Sequence, residues 1–339
     1  MFDFSPATKP TMYFIGVTTS KSSIMNVFPK WAEALGLGDV EIKGIDLPLH
    51  APVEDYRKVA QFLKEDPLSE GALVTTHKLD LYQACKDMFD EADPYALQLQ
   101  EISSISKQDG RFIAHAKDPI SSGLALEQFV PANFWKEHGG EALLLGAGGS
   151  SLAMSIYFGQ EKSEGNAGQG KGDDGSGQKK AESNPGQCSW GDNVPKAITI
   201  ANRSTPRLDS ARETLQGLNP KIELRFLHSP TPADNDKLIA SLPPYSLIVN
   251  ATGLGKDAPG SPTTDAVSYP EHALVWEINY RGDLIFKEQA ERQAAAKRLH
   301  IEDGWDYFIF GWTQVIAEVF HVEIQGETLR KLSEIAKKI

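Results

Sequence analysis

The feature that most constrains the fold is an apolar run that ends in clustered glycines, Ala142–Ala153, with the sequence ALLLGAGGSSLA. The run is short enough for a buried parallel strand, and the chain then resumes as a helix-like segment. Gly146 permits a tight turn, and Gly148 lets the backbone approach a pyrophosphate at the helix N-terminus. The pattern predicts a dinucleotide-binding turn, although Ser151 replaces the usual third glycine and an ordinary Gly-rich turn is the alternative. The predicted cofactor contacts in this turn are Gly146, Ala147, Gly148, Gly149 and Ser150.

The next predicted strand ends in residues that suit a phosphorylated ribose. Ala197–Ala201 is β-rich and is followed by Asn202, Arg203 and Ser204, with Arg207 shortly after. Gly146 and Asn202 lie 56 positions apart, but the 35 residues 161–195 read as an insertion, and without it the spacing is 21, close to the ~20 expected. Because no acidic residue ends the strand and two arginines follow it, the predicted cofactor is NADP rather than NAD. A solvated basic turn is the alternative interpretation.

Length, charge and cysteine content narrow the class of protein. The chain of 339 residues is long enough for two domains, and its net charge of −12 with no basic block argues against nucleic acid as a partner. Cys85 and Cys188 are far apart and lack metal-ligand neighbours, so we expect no metal site, no disulfide framework and a cytoplasmic location. No apolar stretch of ~18 residues and no signal-peptide core occur, so we expect no membrane partner.

Strand and helix signals alternate along the first 120 residues, which predicts an α/β layer. They fall at Met12–Thr18, Ile24–Leu35, Val40–Asp46, Val53–Leu63, Gly71–Thr75 and Leu79–Phe89. Ile102–Ser106 and Arg111–His115 are joined through Asp109-Gly110 and read as a hairpin. A helix is then predicted over 124–138, ending near Pro131.

The second half continues the alternation around a polar insertion. Residues 161–195 are rich in Gly, Lys, Ser, Gln, Asp and Glu, which predicts a flexible surface loop, with a partner-binding loop as the alternative. Later strands are predicted at Ile222–Phe226, Ser246–Val249 and Val275–Ile278, and closing helices at Gly304–Phe320 and Glu327–Ile335. The strand ending at Val249 delivers small polar residues to the expected cofactor edge, namely Asn250, Ala251, Thr252 and Gly253.

The order of these motifs resembles the shikimate/quinate dehydrogenase family over nearly the whole chain outside the insertion. The matching residues are Ser20-Lys21-Ser22, Val74–Lys78, Ile102–Ile105, Asp118, Gly146–Gly149, Asn202–Arg207, Asn250–Gly253, Tyr280, and Gly304 with Gln314. The resemblance implies an N-terminal α/β substrate-binding domain over 1–122, completed by C-terminal helices at 306–339. Residues 123–305 would form a Rossmann-type NADP domain with a doubly wound parallel sheet, and the reaction would take place in the cleft between the two.

The implied activity is that of an NADP-dependent oxidoreductase that interconverts a hydroxyl and a ketone on a small cyclic hydroxy acid, as a monomer or homodimer, within aromatic amino acid biosynthesis. By resemblance, Lys78 and Asp118 form the catalytic dyad, and Gly304 joins the cofactor residues. The implied substrate contacts are Ser20 and Ser22 at the carboxylate, Tyr280 nearby, and Thr75, Thr76, Ser103 and Gln314 with Asp118 at the ring hydroxyls. Burial is expected to bring Lys78 toward neutrality so that it can take the hydroxyl proton, and an ordinary ion pair is the alternative.

Several departures from the family pattern fall in the substrate half. The stretch before Lys78 is one residue shorter than the family's Val-Thr-x-Pro-x-Lys and contains no proline, with His77 immediately before Lys78. Ser103 stands where the family has Asn. Ala116-Lys117-Asp118-Pro119 replaces Asn-Thr-Asp-Gly. Because buried hydrogen-bond partners decide substrate selectivity, we expect shikimate itself to be turned over weakly. We expect His77 to be a spacer or local hydrogen-bond partner, with a second acid as the alternative. A non-catalytic NADP or metabolite sensor is the alternative function.

Overall fold

The computed structural model describes residues 4–160, 193–218, 221–256 and 258–339. The chain divides into two compact units, one running to Ser121 and including Tyr307–Ile339, the other spanning Ser122–Asp306. Residues 161–192 of the predicted surface loop lie outside the described residues. Each unit contains its own β-sheet and is described by itself.

The strands and helices are numbered in chain order. The strands are β1 (Thr11–Gly16), β2 (Glu41–Asp46), β3 (Ser69–Val74), β4 (Glu91–Ala92), β5 (Ser104–Gln108), β6 (Arg111–His115), β7 (Ala142–Leu145), β8 (Ala197–Asn202), β9 (Glu223–His228), β10 (Leu247–Asn250), β11 (Leu274–Glu277) and β12 (His300–Glu302). The helices are α1 (Ile24–Leu35), α2 (Val53–Glu65), α3 (Lys78–Cys85), α4 (Pro94–Leu99), α5 (Asp118–Phe129), α6 (Phe134–His138), α7 (Gly149–Phe158), α8 (Thr205–Thr214), α9 (Pro232–Ser241), α10 (Ile285–Glu291), α11 (Ala294–Lys297), α12 (Trp305–Phe320) and α13 (Gly326–Ala336). A single 3-10 turn covers Thr19–Lys21.

The first unit contains a mixed sheet with the strand order β2-β1-β3-β5-β6-β4. β1 pairs in parallel with β2 and β3, whereas β5 runs antiparallel to both β3 and β6. The predicted Asp-Gly hairpin is present between β5 and β6, where Asp109 and Gly110 have φ of 51° and 76°. Positive φ at both central residues is what a two-residue type I′ turn requires.

The C-terminal helix α13 completes the core of the first unit. The apolar face of α1 repeats at helical spacing, with Val27, Phe28 and Trp31 buried. The Trp31 indole nitrogen donates a hydrogen bond to the Leu332 carbonyl of α13 at 2.8 Å, although the two residues are 301 positions apart. Burial of these large side chains, together with a satisfied indole N–H, stabilises the packing of α13 on α1.

One predicted helix boundary is wrong. The sequence pattern placed a helix over 124–138, but α5 begins at Asp118 and ends at Phe129, and α6 follows after Pro131. Pro119 falls in the first turn of α5, where a missing N–H costs no hydrogen bond, so the helix starts six residues earlier than predicted. As a result, Asp118 lies at a helix start.

The second unit contains a sheet with the order β12-β11-β10-β7-β8-β9, in which every pairing is parallel. The order reverses between β7 and β10, which is where doubly wound sheets bind ligands. The core packs Leu143 and Leu145 of β7 with Ile248 of β10, Val275 of β11 and Phe286 of α10. The predicted α/β fold class, with a Rossmann-type parallel sheet, is therefore confirmed.

The C-terminal end of the predicted insertion differs from the structure, because residues 193–195 are described and Asn193 and Pro195 are buried. Asn193 is 3% exposed, and its side-chain oxygen accepts hydrogen bonds from the Trp135 and Lys136 amides at 2.9 and 3.2 Å. These amides lie near the start of α6, where backbone N–H groups lack helical partners, so the asparagine satisfies donors that are otherwise left unpaired. The predicted surface loop therefore does not extend to residue 193.

Three properties of the described residues bear on the predicted class of protein. No helix in the described part of the chain has the length and apolar character needed to cross a membrane. Cys85 is a buried free thiol, whereas Cys188 lies outside the described residues. No group of three or more His, Cys, Asp or Glu side chains in the described ranges is placed to hold a metal ion.

Candidate active site

The glycine turn after β7 is tied to both neighbouring strands. The Gly146 amide donates to the Ala201 carbonyl of β8 at 2.7 Å, and the Ala251 amide after β10 donates to the Leu145 carbonyl at 2.8 Å. Gly146 has φ of +108°, and a Cβ there would lie 2.5 Å from the Ala251 carbonyl oxygen. Only glycine fits this backbone without strain. The turn therefore brings the ends of β7, β8 and β10 together.

Ser151 explains why the third glycine of the motif is absent. Its side chain is fully buried, and its hydroxyl donates to the Gly146 carbonyl at 2.7 Å, which ties the start of α7 to the turn. α7 begins at Gly149 with Gly148 as N-cap, and a Cβ at Gly148 would meet no atom within 4 Å. The turn thus presents open space in front of the N-terminus of a ten-residue helix, a geometry that suits an anionic group.

The predicted ribose residues lie directly beside this turn, because β8 neighbours β7. The Asn202 side-chain amide donates to the Ser204 carbonyl at 3.2 Å, which shapes the connection into α8. Arg203 and Arg207 are exposed, and neither forms an ion pair with any carboxylate in the described part of the chain. Two free guanidinium groups at this edge are available to a phosphate.

A buried carboxylate organises the turn after β10, and the sequence patterns missed it. Glu277 accepts hydrogen bonds from the Asn250 side chain at 2.6 Å and from the Asn279 side chain at 2.7 Å. Burial raises the pKa of Glu277 to about 7, against the opposing effect of these amides. Asn250 in turn accepts from the Thr252 amide and hydroxyl at 3.1 and 2.7 Å. The Asn250–Gly253 turn is therefore positioned through a network that reaches β11.

The remaining predicted residues of the second unit are Gly304 and Tyr280. The Gly304 amide donates to the Asn279 carbonyl at 3.1 Å, so it joins the same network as Glu277. Tyr280 is half-buried, and the Arg281 guanidinium lies over its ring at 5.7 Å from the centroid. Gly304 is thus connected to the cofactor-side network by hydrogen bonds.

In the first unit, the two residues of the predicted dyad lie in contact. The Lys78 ammonium and the Asp118 carboxylate make an ion pair, with Lys78 at the first residue of α3 and Asp118 at the first residue of α5. Burial lowers the pKa of Lys78. The charges of Asp118, Glu101 and Tyr307 raise it by more than burial lowers it, so the pKa lies above its ordinary value. The expectation that burial would bring Lys78 toward neutrality is therefore wrong. The neighbouring carboxylates outweigh desolvation, and the lysine is held as an ammonium.

Glu101 is a third ionisable group in this cluster, and no motif pointed to it. Its Oε1 atom is inaccessible to solvent and has no hydrogen-bond partner among the described residues. Burial raises the pKa of Glu101 to about 7; the charge of Lys78 lowers it and that of Asp118 raises it. The sequence gives no indication of its role, because Glu101 follows α4 in a stretch that contains no recognisable motif.

Hydrogen bonds bring two more predicted residues to the dyad. The Ser103 hydroxyl accepts from the Lys117 amide at 2.7 Å, next to Asp118, and the Thr75 carbonyl accepts from the Lys78 amide at 3.0 Å. Ser20 is exposed, Thr76 is exposed, and Ser22 and Gln314 are half-buried. Across the described residues, no hydrogen bond connects these last four to the dyad.

Both ring nitrogens of His77 have hydrogen-bond partners. It is buried, its Nε2 lies 3.1 Å from the Leu47 carbonyl and its Nδ1 lies 2.9 Å from the Tyr56 hydroxyl. A carbonyl only accepts, so Nε2–H donates to Leu47 and, in the neutral ring, Nδ1 accepts from Tyr56. This placement makes His77 a local hydrogen-bond partner, as the sequence predicted.

Comparison with known proteins finds shikimate and quinate dehydrogenases among the similar proteins. No protein-family model matches the chain. It is 24% identical over 301 residues to a shikimate dehydrogenase (NADP(+)) of Methylocella silvestris, covering 88% of this chain and 86% of that protein. A quinate dehydrogenase from Corynebacterium glutamicum in complex with NAD has a TM-score of 0.68 at 16% identity, covering 98% and 99% of the two chains. The shikimate 5-dehydrogenase from Thermus thermophilus in complex with NADP(H) and shikimate has a TM-score of 0.64 at 19% identity, covering 97% and 98%.

These similarities span both units. They identify the fold as the two-domain fold of shikimate and quinate dehydrogenases, with a Rossmann-type unit. The chain is thus similar to proteins of the shikimate/quinate dehydrogenase family, and the resemblance read from its motifs is confirmed.

Proposed function

We propose that the protein is an NADP-dependent oxidoreductase that interconverts a hydroxyl and a ketone on a small cyclic hydroxy acid of shikimate or quinate type. The observation that carries the proposal is the Lys78–Asp118 ion pair, formed at two helix starts in a chain related to a shikimate dehydrogenase (NADP(+)). An isolated buried Lys–Asp pair is common in proteins. Its occurrence together with a dinucleotide-type turn favours a dehydrogenase.

The second unit suits NADP. The Gly146–Ser150 turn and the N-terminus of α7 would receive the pyrophosphate, and Arg203 with Arg207 would pair with the 2′-phosphate. The bound cofactor would supply the hydride-accepting or hydride-donating ring. The carboxylate that distinguishes NAD-specific sites is missing from the end of β8, where Asn202 stands.

Lys78 would act as the proton donor when a ketone is reduced. Its neighbours hold it as an ammonium, and Asp118 fixes the position of its Nζ atom. A proton placed next to the carbonyl oxygen stabilises the alkoxide that develops as hydride arrives. Asp118 is thus the orienting partner of the acid, in the same sense as a triad carboxylate orients its histidine.

The substrate half supports a cyclic hydroxy acid whose hydroxyl pattern differs from that of shikimate. The Ser103 hydroxyl accepts from the Lys117 amide, which leaves one O–H as its donor and no amide to read a second hydroxyl. A site that lacks one hydrogen-bond partner discriminates strongly among hydroxylated analogues. We therefore expect weak turnover of shikimate relative to a differently hydroxylated relative.

The experiment is a double-mutant cycle on the dyad, read by turnover, NADP affinity and melting temperature. Purified protein is first screened for NADPH oxidation and NADP reduction against cyclic hydroxy acids, keto acids and polyols. For the best substrate, Lys78→Ala should lower turnover by roughly 10²–10⁴-fold with NADP affinity unchanged. Asp118→Asn should also impair turnover, and the double variant should lose much less than the product of the two.

A matched control is the exposed Lys9–Asp39 ion pair, with Nζ and Oδ1 2.8 Å apart in the same unit. Lys9→Ala should leave turnover and NADP affinity unchanged, because exposed pairs contribute little. Unchanged turnover in Lys78→Ala would refute the dehydrogenase mechanism. Tight NADP binding without turnover of any compound in the panel would instead establish the non-catalytic sensor.

A further inference from the structure

Lys117, the residue before Asp118, departs from the family pattern, and the structure gives its side chain a partner. The Lys117 ammonium forms an ion pair with the Glu318 carboxylate of α12, within the first unit. The two side chains are 13% and 27% exposed, so water screens this pair less than it screens an exposed one. The residue that precedes the predicted orienting carboxylate is therefore held by a helix near the C-terminus.

Glu318 contacts the connection between β6 and α5, which consists of Ala116 and Lys117, from both sides. Its Oε2 atom pairs with Lys117, and its Oε1 atom lies 3.4 Å from Nε2 of His115, the last residue of β6. The same His115 nitrogen lies 2.8 Å from the Ser106 hydroxyl on β5. Burial acts to raise the pKa of Glu318, but the charges of Lys117 and His115 lower it by more, so the carboxylate stays ionised.

The backbone of this connection is fixed as well. The Ala116 amide donates to the Asp93 carboxylate at 3.2 and 3.3 Å, and the Lys117 amide donates to the Ser103 hydroxyl at 2.7 Å. The Lys117 carbonyl accepts from the Ser121 amide at 2.9 Å and from the Ser121 hydroxyl at 3.0 Å. Because the groups that would otherwise be unpaired at the start of α5 have partners, the first residue of the helix has a defined position.

An unpaired Lys117 ammonium would disturb this arrangement. A cation at this depth has lost part of its hydration, so removal of its partner costs more than removal of both charges. Without Glu318 the lysine regains hydration by turning toward solvent, and the residue joined to it by one peptide bond moves with it. That residue is Asp118, whose carboxylate contacts the Lys78 ammonium, and the attraction within an ion pair falls as its charges separate.

We infer that Glu318 is a positioning residue that acts through Lys117 to hold Asp118 in contact with Lys78. The inference rests on the proposed function, which assigns Asp118 to the orientation of the acid. Loss of Glu318 should lower turnover by displacing the dyad. It should leave NADP affinity unchanged, because the proposed cofactor residues lie in the second unit.

Turnover tests the inference through non-additivity. Glu318→Met removes both carboxylate oxygens while keeping a side chain of similar length. It should lower kcat by roughly 10–100-fold, the range expected when reacting groups are displaced by about 1 Å, and an NADPH titration should show unchanged affinity. In an Asp118→Asn background, where the positioned group is already disabled, the same substitution should change kcat by less than about twofold.

Two further variants separate positioning from a purely structural contribution. Lys117→Arg keeps a cation for Glu318 and should keep kcat within about twofold of wild type. Glu323→Met, at an exposed glutamate shortly after α12, is the matched control and should change neither kcat nor Tm. A residue with only a structural role would lower Tm and lower kcat by the same factor in both Asp118 backgrounds. That result, or a wild-type kcat in Glu318→Met, would overturn the inference.

A second test needs no activity. The coupling between Lys78 and Asp118 is measured by urea unfolding of Lys78→Met, Asp118→Asn and the double variant, first with Glu318 present and then with Glu318→Met. The coupling should be smaller without Glu318, and equal coupling in both backgrounds would overturn the inference. Glu318→Gln, which keeps an uncharged acceptor for Lys117, replaces Glu318→Met if the latter fails to fold. If the wild-type protein turns over no substrate, the proposed function fails, and this cycle still decides whether Glu318 controls the contact.

Discussion

Replacing each of two glycines in the β7–α7 turn by alanine should affect different properties, stability at Gly146 and NADP affinity at Gly148. Gly146 has φ of +108°, and a Cβ there would lie 2.5 Å from the Ala251 carbonyl oxygen and 2.9 Å from its carbon. These atoms are backbone, held by the bond from the Ala251 amide to the Leu145 carbonyl, so they cannot move aside cheaply. Gly148 has φ of −100° and open space at its Cβ position.

The magnitudes follow from this geometry. Gly146→Ala combines backbone strain of about 1–3 kcal/mol with overpacking of about 1–3 kcal/mol, giving roughly 2–6 kcal/mol of lost stability. At about 2–4 °C per kcal/mol for a domain of this size, the melting temperature of the second unit should fall by at least about 4 °C. Gly148→Ala should cost less than about 1 kcal/mol, because only the N-cap preference is lost.

Ligand affinity should separate the two variants. A methyl group at residue 148 occupies the space through which the pyrophosphate would reach the N-terminus of α7. Loss of one charge-assisted hydrogen bond, about 1.5–3 kcal/mol, should weaken NADP binding by roughly 10–100-fold. Calorimetric unfolding and a fluorescence titration with NADPH measure the two effects. Wild-type affinity in Gly148→Ala, or a wild-type melting temperature in Gly146→Ala, would refute this assignment of roles within the turn.

Four further outcomes are expected. Replacing both Arg203 and Arg207 by alanine should weaken NADP strongly and leave NAD nearly unchanged, and equal affinity of the wild-type protein for both cofactors would contradict this. Asn193→Ala should cost about 1–3 kcal/mol in urea unfolding, because one buried and one part-buried amide lose their acceptor. Replacing 163–194 by a short linker should therefore destabilise the protein unless residue 193 is kept. Glu101 has its pKa raised from 4.5 to about 7 on folding, so the stability it contributes below pH 4.5 is lost as pH rises through 7. In Glu101→Gln the free energy of unfolding should therefore fall by up to roughly 3 kcal/mol less over this pH range than in the wild-type protein. Urea unfolding at pH 5 and pH 8 measures this difference. Finally, kinetic assays should find shikimate a weaker substrate than a differently hydroxylated analogue, as Ser103 suggests, and kinetic constants of an ordinary enzyme would argue against it.

The parts of the fold that the sequence predicted are those fixed by local chemistry. The glycine turn demands a positive φ at Gly146 and an open helix N-terminus at Gly148, and both demands are visible in a few adjacent letters. The same holds for Asp109-Gly110, where two positive φ values select the hairpin turn. Such elements carry their own geometric requirement, so a single stretch of sequence is enough to predict them.

The parts that the sequence did not predict depend on contacts between distant positions. The electrostatic environment of Glu101 comes from Lys78, 23 residues earlier, and from Asp118, 17 residues later, whose charges act on its carboxyl in opposite directions. Asn193 follows a polar stretch that looks unstructured, yet its side chain satisfies amides 57 and 58 positions away. Neither position has a compositional signal, because a polar residue that packs looks the same in sequence as one that faces water.

The corrected charge of Lys78 changes how the site should respond to pH in the two directions. A neutral lysine would make oxidation depend on the lysine alone. The ammonium found here supplies a proton to a ketone throughout the neutral range, so reduction should vary little between pH 6 and pH 8 on account of this group. Oxidation instead requires Lys78 to lose one of its own protons before it can take one from the substrate hydroxyl. Turnover in the oxidising direction is therefore expected to rise with pH, and the pH dependence is expected to be strong in that direction only.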